Sequence, residues 1–107
     1  MYRIGLDIGG TGIQMGIVDE KGHILERGEL VTNTLIPFSE QIHQMARCAM
    51  DMVEKGGYSL LDIASIGAGV PGVADQKTGE VIYCTNLRWR HTPFREEFRK
   101  YIDKPVR

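Results

Sequence analysis

Residues 2–8 alternate cleanly, with Ile4, Leu6 and Ile8 in one phase and Arg3, Gly5 and Asp7 in the other. A period of two predicts a strand with one buried face. Gly9 to Gly12 turn the chain, and Ile13, Met15 and Ile17 restart the alternation as a second strand. The DEKG run at 19–22 is a turn signal, with polar residues and a glycine for a positive φ. A third strand follows over roughly 23–32, with Gly28 expected as a bulge or kink. Three strands joined by short turns make an antiparallel meander.

The period then changes. Phe38, Ile42, Met45, Ala46, Ala49, Met52 and Val53 fall at the three-and-four spacing of an amphipathic helix. Ser39 is the expected cap, and Gly56-Gly57 the expected stop. The methionines on this helix read as core filler. IASIGAGV at 63–70 is almost wholly apolar, which suits a central strand buried on both faces. Reached through a helix, it should pair in parallel with an earlier strand by a right-handed crossover. A loop, a short strand over 80–84 and a last helix complete the pattern. Thr92 should cap that helix, Pro93 should fill its first turn, and Phe94, Phe98, Tyr101 and Ile102 should form its buried stripe. Pro105 stops it, and Val106 reads as the first residue of another strand. The fold class is therefore α/β.

Composition narrows the partners. The 107 residues suffice for one modest domain with its own core. Apolar content of 42% and charged content of 25% are ordinary for a globular protein. A formal net charge of -1 gives no electrostatic reason to expect nucleic acid or an anionic membrane as partner. The basic residues of the last third are interrupted by Glu96, Glu97 and Asp103, which marks a solvated helix face. Cys48 and Cys84 match no metal or redox spacing, so free thiols in a reducing cytoplasm are expected. No run has the pattern of a secretory leader or approaches a membrane-spanning length.

Chemistry concentrates at DIGGTG, residues 7–12. Adjacent glycines let a ligand approach backbone N–H groups unobstructed by any Cβ, and Thr11 adds a hydroxyl. Asp7 points off the packed face, where it would repel a bare phosphate unless Mg²⁺ lay between them. Acid, amides, hydroxyl and metal together describe a site for a nucleotide's terminal phosphates. The pattern alone also fits a plain tight hairpin with an incidental aspartate. No GxxxxGK[ST] loop is present. GAGVPG at 67–72 satisfies GxGxxG, but a dinucleotide fingerprint must open a helix. VADQKTGEV follows instead, so the Rossmann reading fails on context.

DIGGTG after an N-terminal strand, GAGVPGVAD, TGEVIYCTNLRW and the closing KPV, in that order and spacing, resemble the ROK family of sugar kinases and related repressors, its bacterial glucokinases above all. The resemblance runs over essentially the whole chain. It implies the actin-like, ribonuclease H-like ATPase fold, with residues 1–107 as the N-terminal lobe of a two-lobed, cytoplasmic and homo-oligomeric sugar kinase. Asp7, Gly9, Gly10, Thr11 and Gly12 match the family's first phosphate loop, with Asp7 holding Mg²⁺ through water. Family members often carry lysine where this chain has Gly12. Gly69, Val70, Pro71, Gly72 and Val73 match the loop beneath the sugar. Thr85 and Asn86 match a region where a polar group reaches a sugar hydroxyl, although a polar loop near a strand end is the competing reading. Trp89 reads as a packing residue.

ATP and a hexose are the implied ligands, with glucose ahead of fructose, N-acetylmannosamine or N-acetylglucosamine. The family's general base, an aspartate in an asparagine–aspartate signature, follows the proline–valine pair and so lies beyond Arg107. Its second phosphate loop, adenosine pocket and zinc-binding histidine and cysteines lie beyond as well. His23, His43 and His91 are accordingly expected at the surface or on a helix. A repressor of the same family would carry a helix-turn-helix ahead of the first strand. A structural or chaperone-like actin relative would lack the Pro71-Gly72 loop.

Overall fold

A computed structural model describes residues 1–107 except the side chain of Asn86. Strands β1 (Tyr2–Ile8), β2 (Gly12–Val18) and β3 (Ile24–Val31) form the meander that the alternation predicts. Helix α1 (Phe38–Lys55) then crosses over to β4 (Ile63–Gly69), which pairs in parallel with β1. The sheet order is β3-β2-β1-β4. A second, three-stranded sheet is built from β5 (Val73–Ala74), β6 (Val81–Cys84) and β7 (Trp89–Thr92), followed by α2 (Phe94–Arg99).

One face of the first sheet presents Ile4, Leu6, Ile8, Ile13, Met15 and Ile17, all buried. Onto it packs the α1 stripe of Ile42, Met45, Ala46, Ala49, Met52 and Val53. The same core continues through Trp89, Phe94, Phe98 and Ile102, so both sheets and both helices share it. Tyr101, expected in the α2 stripe, is 37% exposed and stacks on His43 instead.

Four local expectations are corrected. Gly28 is no bulge: it pairs in register with Met15, and the register shift lies at Ile17/Val18. A Cβ on Gly28 would come within 3.1 Å of Met15 Cγ and 3.5 Å of Met52 Sδ, so glycine there admits α1 close to the sheet. Ser39 does not cap α1. The helix starts after Pro37, with no side-chain cap, because the fixed φ of proline already sets the entry. Thr92 likewise ends β7, where its hydroxyl donates to the Arg90 carbonyl, and Pro93 stands at the cap of α2. Strand β4 is buried only through Ile66, while Gly67 and Gly69 are exposed. On its free side Ile66 bridges in parallel to Val106, as expected for a strand beginning there.

Candidate functional site

Both parallel strands, β1 and β4, run to the same end of the sheet, and their register sets Asp7 beside Gly69. Chain exits at the carboxyl ends of neighbouring parallel strands are where open α/β sheets bind ligands. The expected phosphate turn leaves β1 here, and the expected sugar loop leaves β4.

The turn is held from behind. Gly9 N–H donates to the Gly12 carbonyl at 3.0 Å. Thr32, just past β3, donates its hydroxyl to the Gly9 carbonyl at 2.7 Å and its N–H to the Thr11 carbonyl at 3.2 Å. In a planar trans peptide a carbonyl and the following N–H point opposite ways. Gripping the Gly9 carbonyl therefore aims Gly10 N–H away from Thr32. Among the described residues, neither Gly10 nor Thr11 donates its N–H to any acceptor. Gly10 is half-buried and Thr11 exposed, so two donors without a protein acceptor at this open turn are free for an anion. A Cβ on Gly9 would come within 3.0 Å of the Gly12 carbonyl, which accounts for glycine there.

Beside the turn lies a hollow of about 470 Å³, lined by Asp7, Gly9, Thr11, Gly12, Gln14 and Glu29 among others. Asp7 has no ion-pair or hydrogen-bond partner among the described residues, and its side chain is exposed. With both Asp7 and Glu29 lining this space, an anion would enter only with a cation to screen their charge. Glu29 was not singled out in the sequence. It reaches the hollow because β2–β3 pairing sets it opposite Gln14, itself opposite Asp7.

The sugar-loop candidates are assembled by the second sheet. Gly69 ends β4, Val70 to Gly72 form the connection, and Val73 pairs with Tyr83 in β6. Gly72 lies so close to β6 that a Cβ would meet the Tyr83 carbonyl at 2.3 Å. Cys84 Sγ donates to the Pro71 carbonyl at 3.9 Å. Thr85, exposed to solvent, follows directly and opens a 3-10 turn over Thr85–Leu87, whose last residue is buried. Asn86 is in that turn, and its side chain lies outside the described residues. Arg88 closes the turn at φ 59, and His91 sits at φ 49. Non-glycine residues rarely adopt the left-handed region, and such strain collects at functional segments. Nothing in the residue types Arg and His announced it.

Trp89 is buried; its indole N–H donates to Gln41 Oε1, and its ring meets Phe38 edge to face. It is a packing residue, as expected. His23 lies against Asp19, and His91 against Glu80. No cluster of three or more His, Cys, Asp or Glu able to hold a metal exists among the described residues. No helix among them is long and apolar enough to cross a membrane.

Residues 3–107 match the model of the ROK family. The chain belongs to the ROK family. The glucokinase of Streptomyces coelicolor is 32% identical over 103 residues, covering 96% of this chain and 30% of the relative. A xylose repressor of Caldicellulosiruptor bescii is 28% identical over 107 residues, covering 96% of this chain and 26% of the repressor. Among solved structures, a ROK family glucokinase from Streptomyces griseus, in complex with glucose and AMPPNP, superposes with a TM-score of 0.86 at 29% identity. That match covers 99% of this chain and 32% of the glucokinase chain. This ROK chain therefore has the mixed α/β, actin-like ATPase fold of ROK sugar kinases. It spans about a third of the length of the relatives it matches.

Proposed function

We propose that the whole protein transfers the γ-phosphoryl group of ATP to a hexose, glucose first, and that residues 1–107 are its N-terminal lobe. The observation that carries this reading is the β1–β4 register, because it sets the phosphate turn and the sugar loop at one end of one sheet. Phosphoryl transfer depends on positioning and charge neutralisation; this end of the sheet supplies the first through its loops and the second only through a cation that Asp7 would hold.

The idle N–H groups of Gly10 and Thr11 donate to phosphate oxygens, with the Thr11 hydroxyl beside them and Gly9 and Gly12 keeping the approach open. The unpartnered Asp7 carboxylate fits a hydrated magnesium ion and holds it through water. Bound with ATP, Mg²⁺ neutralises phosphate charge. Gly69, Pro71, Gly72 and Val73, with Thr85 and Asn86, seat the sugar. The proton of the attacking hydroxyl goes to an aspartate outside these residues. The family's names support the sugar class: a glucokinase and an N-acetyl-D-glucosamine kinase are among the relatives.

A coupled assay of the full-length protein with ATP and a panel of hexoses tests the reading, and glucose turnover is the expected outcome. Asp7→Ala should lower kcat by about 10²-fold or more, since a metal contributes several kcal/mol of transition-state stabilisation. It should also raise the Mg²⁺ concentration needed for half-maximal rate. Turnover of no sugar would overturn the kinase reading, and unchanged metal dependence in the variant would remove the role of Asp7. The similarity to a xylose repressor favours one second reading, a sugar-sensing regulator. Sugar binding without phosphorylation, together with retention of operator DNA, would establish that reading instead.

A further inference from the structure

We propose that Gln41 is a positioning residue whose buried amide fixes the phosphate turn and the hexose loop relative to one another. The inference rests on the kinase reading above and deepens it. Gln41 lies in the first turns of α1 and is only 5% exposed. A primary amide so buried is costly unless both its ends are satisfied. Here they are, by two different parts of the chain. Its Nε2 donates to the Asn33 carbonyl at 2.7 Å, and its Oε1 accepts the indole N–H of Trp89. An indole N–H can only donate and a carbonyl can only accept, so the partners fix which way the amide faces.

Each end continues into one half of the site. Asn33 follows Thr32, the residue that grips the Gly9 and Thr11 carbonyls and so aims the turn's free amide. Asn33 is itself braced, since its Oδ1 accepts Leu35 N–H at 3.0 Å. Trp89 pairs with Cys84 across β6–β7, so together they close the turn that carries Thr85. Cys84 Sγ also donates to the carbonyl of Pro71, within the sugar loop itself. A continuous path of backbone and hydrogen bonds thus runs from Gly9 through Thr32, Asn33 and Gln41 to Trp89. An apolar side chain of similar length would fill the same space beside Phe38 and Trp89 without linking the two loops.

Each ligand keeps its own loop if the link is cut, but the two loops lose their mutual alignment. Misalignment of reacting groups lowers turnover more than it weakens binding. The test compares the full-length protein with Gln41→Met and with Gln41→Met/Trp89→Phe. In the single variant, kcat should fall about 10-fold or more, while KM for ATP and for glucose stays within about twofold. Gln41→Met leaves the indole N–H and the Asn33 carbonyl unpaired and should lower Tm. The double variant removes the orphaned indole donor and should recover part of that Tm, less what the smaller ring loses in packing on Phe38 and Phe94. Its kcat should stay low, a split that a merely structural role would not produce. Wild-type kcat in Gln41→Met, or kcat recovering in step with Tm in the double variant, would overturn the inference while leaving the kinase reading standing. A wild-type protein that phosphorylates no hexose would remove both.

Discussion

Gly72 shows how a single residue type can encode a close approach without an unusual backbone angle. Its φ is not positive, yet a Cβ would meet the Tyr83 carbonyl at 2.3 Å and Cys84 Cα at 3.1 Å. Both obstacles are backbone, which cannot rotate aside as a side chain could. Gly67, on the exposed face of β4, would place a Cβ with nothing within 4 Å. Gly72→Ala should therefore destabilise by about 1–3 kcal/mol, in the range of overpacking. Gly67→Ala should be neutral or slightly stabilising through the unfolded chain. Thermal melts of the two variants in the full-length protein check this. Equal Tm values would show that the loop beneath the proposed sugar site has slack to move.

Elements with a sustained period were the legible part of the fold. The alternation over β1 and β2 and the three-and-four spacing of α1 each follow from one face meeting one core. Strand β6 was legible as the short strand over 80–84, but β5 and β7 were not. The β6–β7 hairpin has only four residues a side, and in Trp89–Thr92 only the outer two are buried, because His91 at φ 49 breaks the two-residue period. Of the site, the glycine turn was visible because its chemistry is local. The pairing of Gln41 with Trp89 was not, since a hydrogen bond spanning 48 positions leaves no spacing signature. The β2–β3 turn was legible, and Asp19 explains why. Its Oδ1 accepts both His23 N–H and Lys21 N–H at 2.9 Å. The His23 backbone bond, with smaller help from the Lys21 bond and the His23 ring, holds the carboxyl below its ordinary value of 3.8. A depressed folded-state value means stabilisation present above the unfolded value and lost as pH falls through the folded one. Asp19→Asn keeps an oxygen acceptor but cannot titrate. The Tm gap between wild type and this variant should be widest near about pH 6 and close toward about pH 2. A gap that does not change with pH would mean that the charge of Asp19 contributes nothing to the turn.

At the scale of the molecule, one core joins both sheets, and the Cα radius of gyration is 13.0 Å. A compact domain of about 100 residues is expected near about 13 Å, so these residues close on themselves as an independent domain does. The sheet has α1 over one face and two glycine-lined strand ends at one end, where both halves of the proposed site sit. Folding and catalysis should therefore separate. The 107-residue chain alone should melt in a single cooperative transition, because one core joins its sheets and helices. It should nevertheless show no hexose phosphorylation, since the base that takes the sugar proton is expected beyond Arg107. General-base catalysis alone contributes about 10²–10⁴ in rate, and the second half of the ATP site would be missing too. Calorimetry and the coupled assay on the same preparation check the two halves of this statement independently. Measurable turnover would place the base among these residues, whereas a broad, non-cooperative melt would show that the lobe needs its partner to fold.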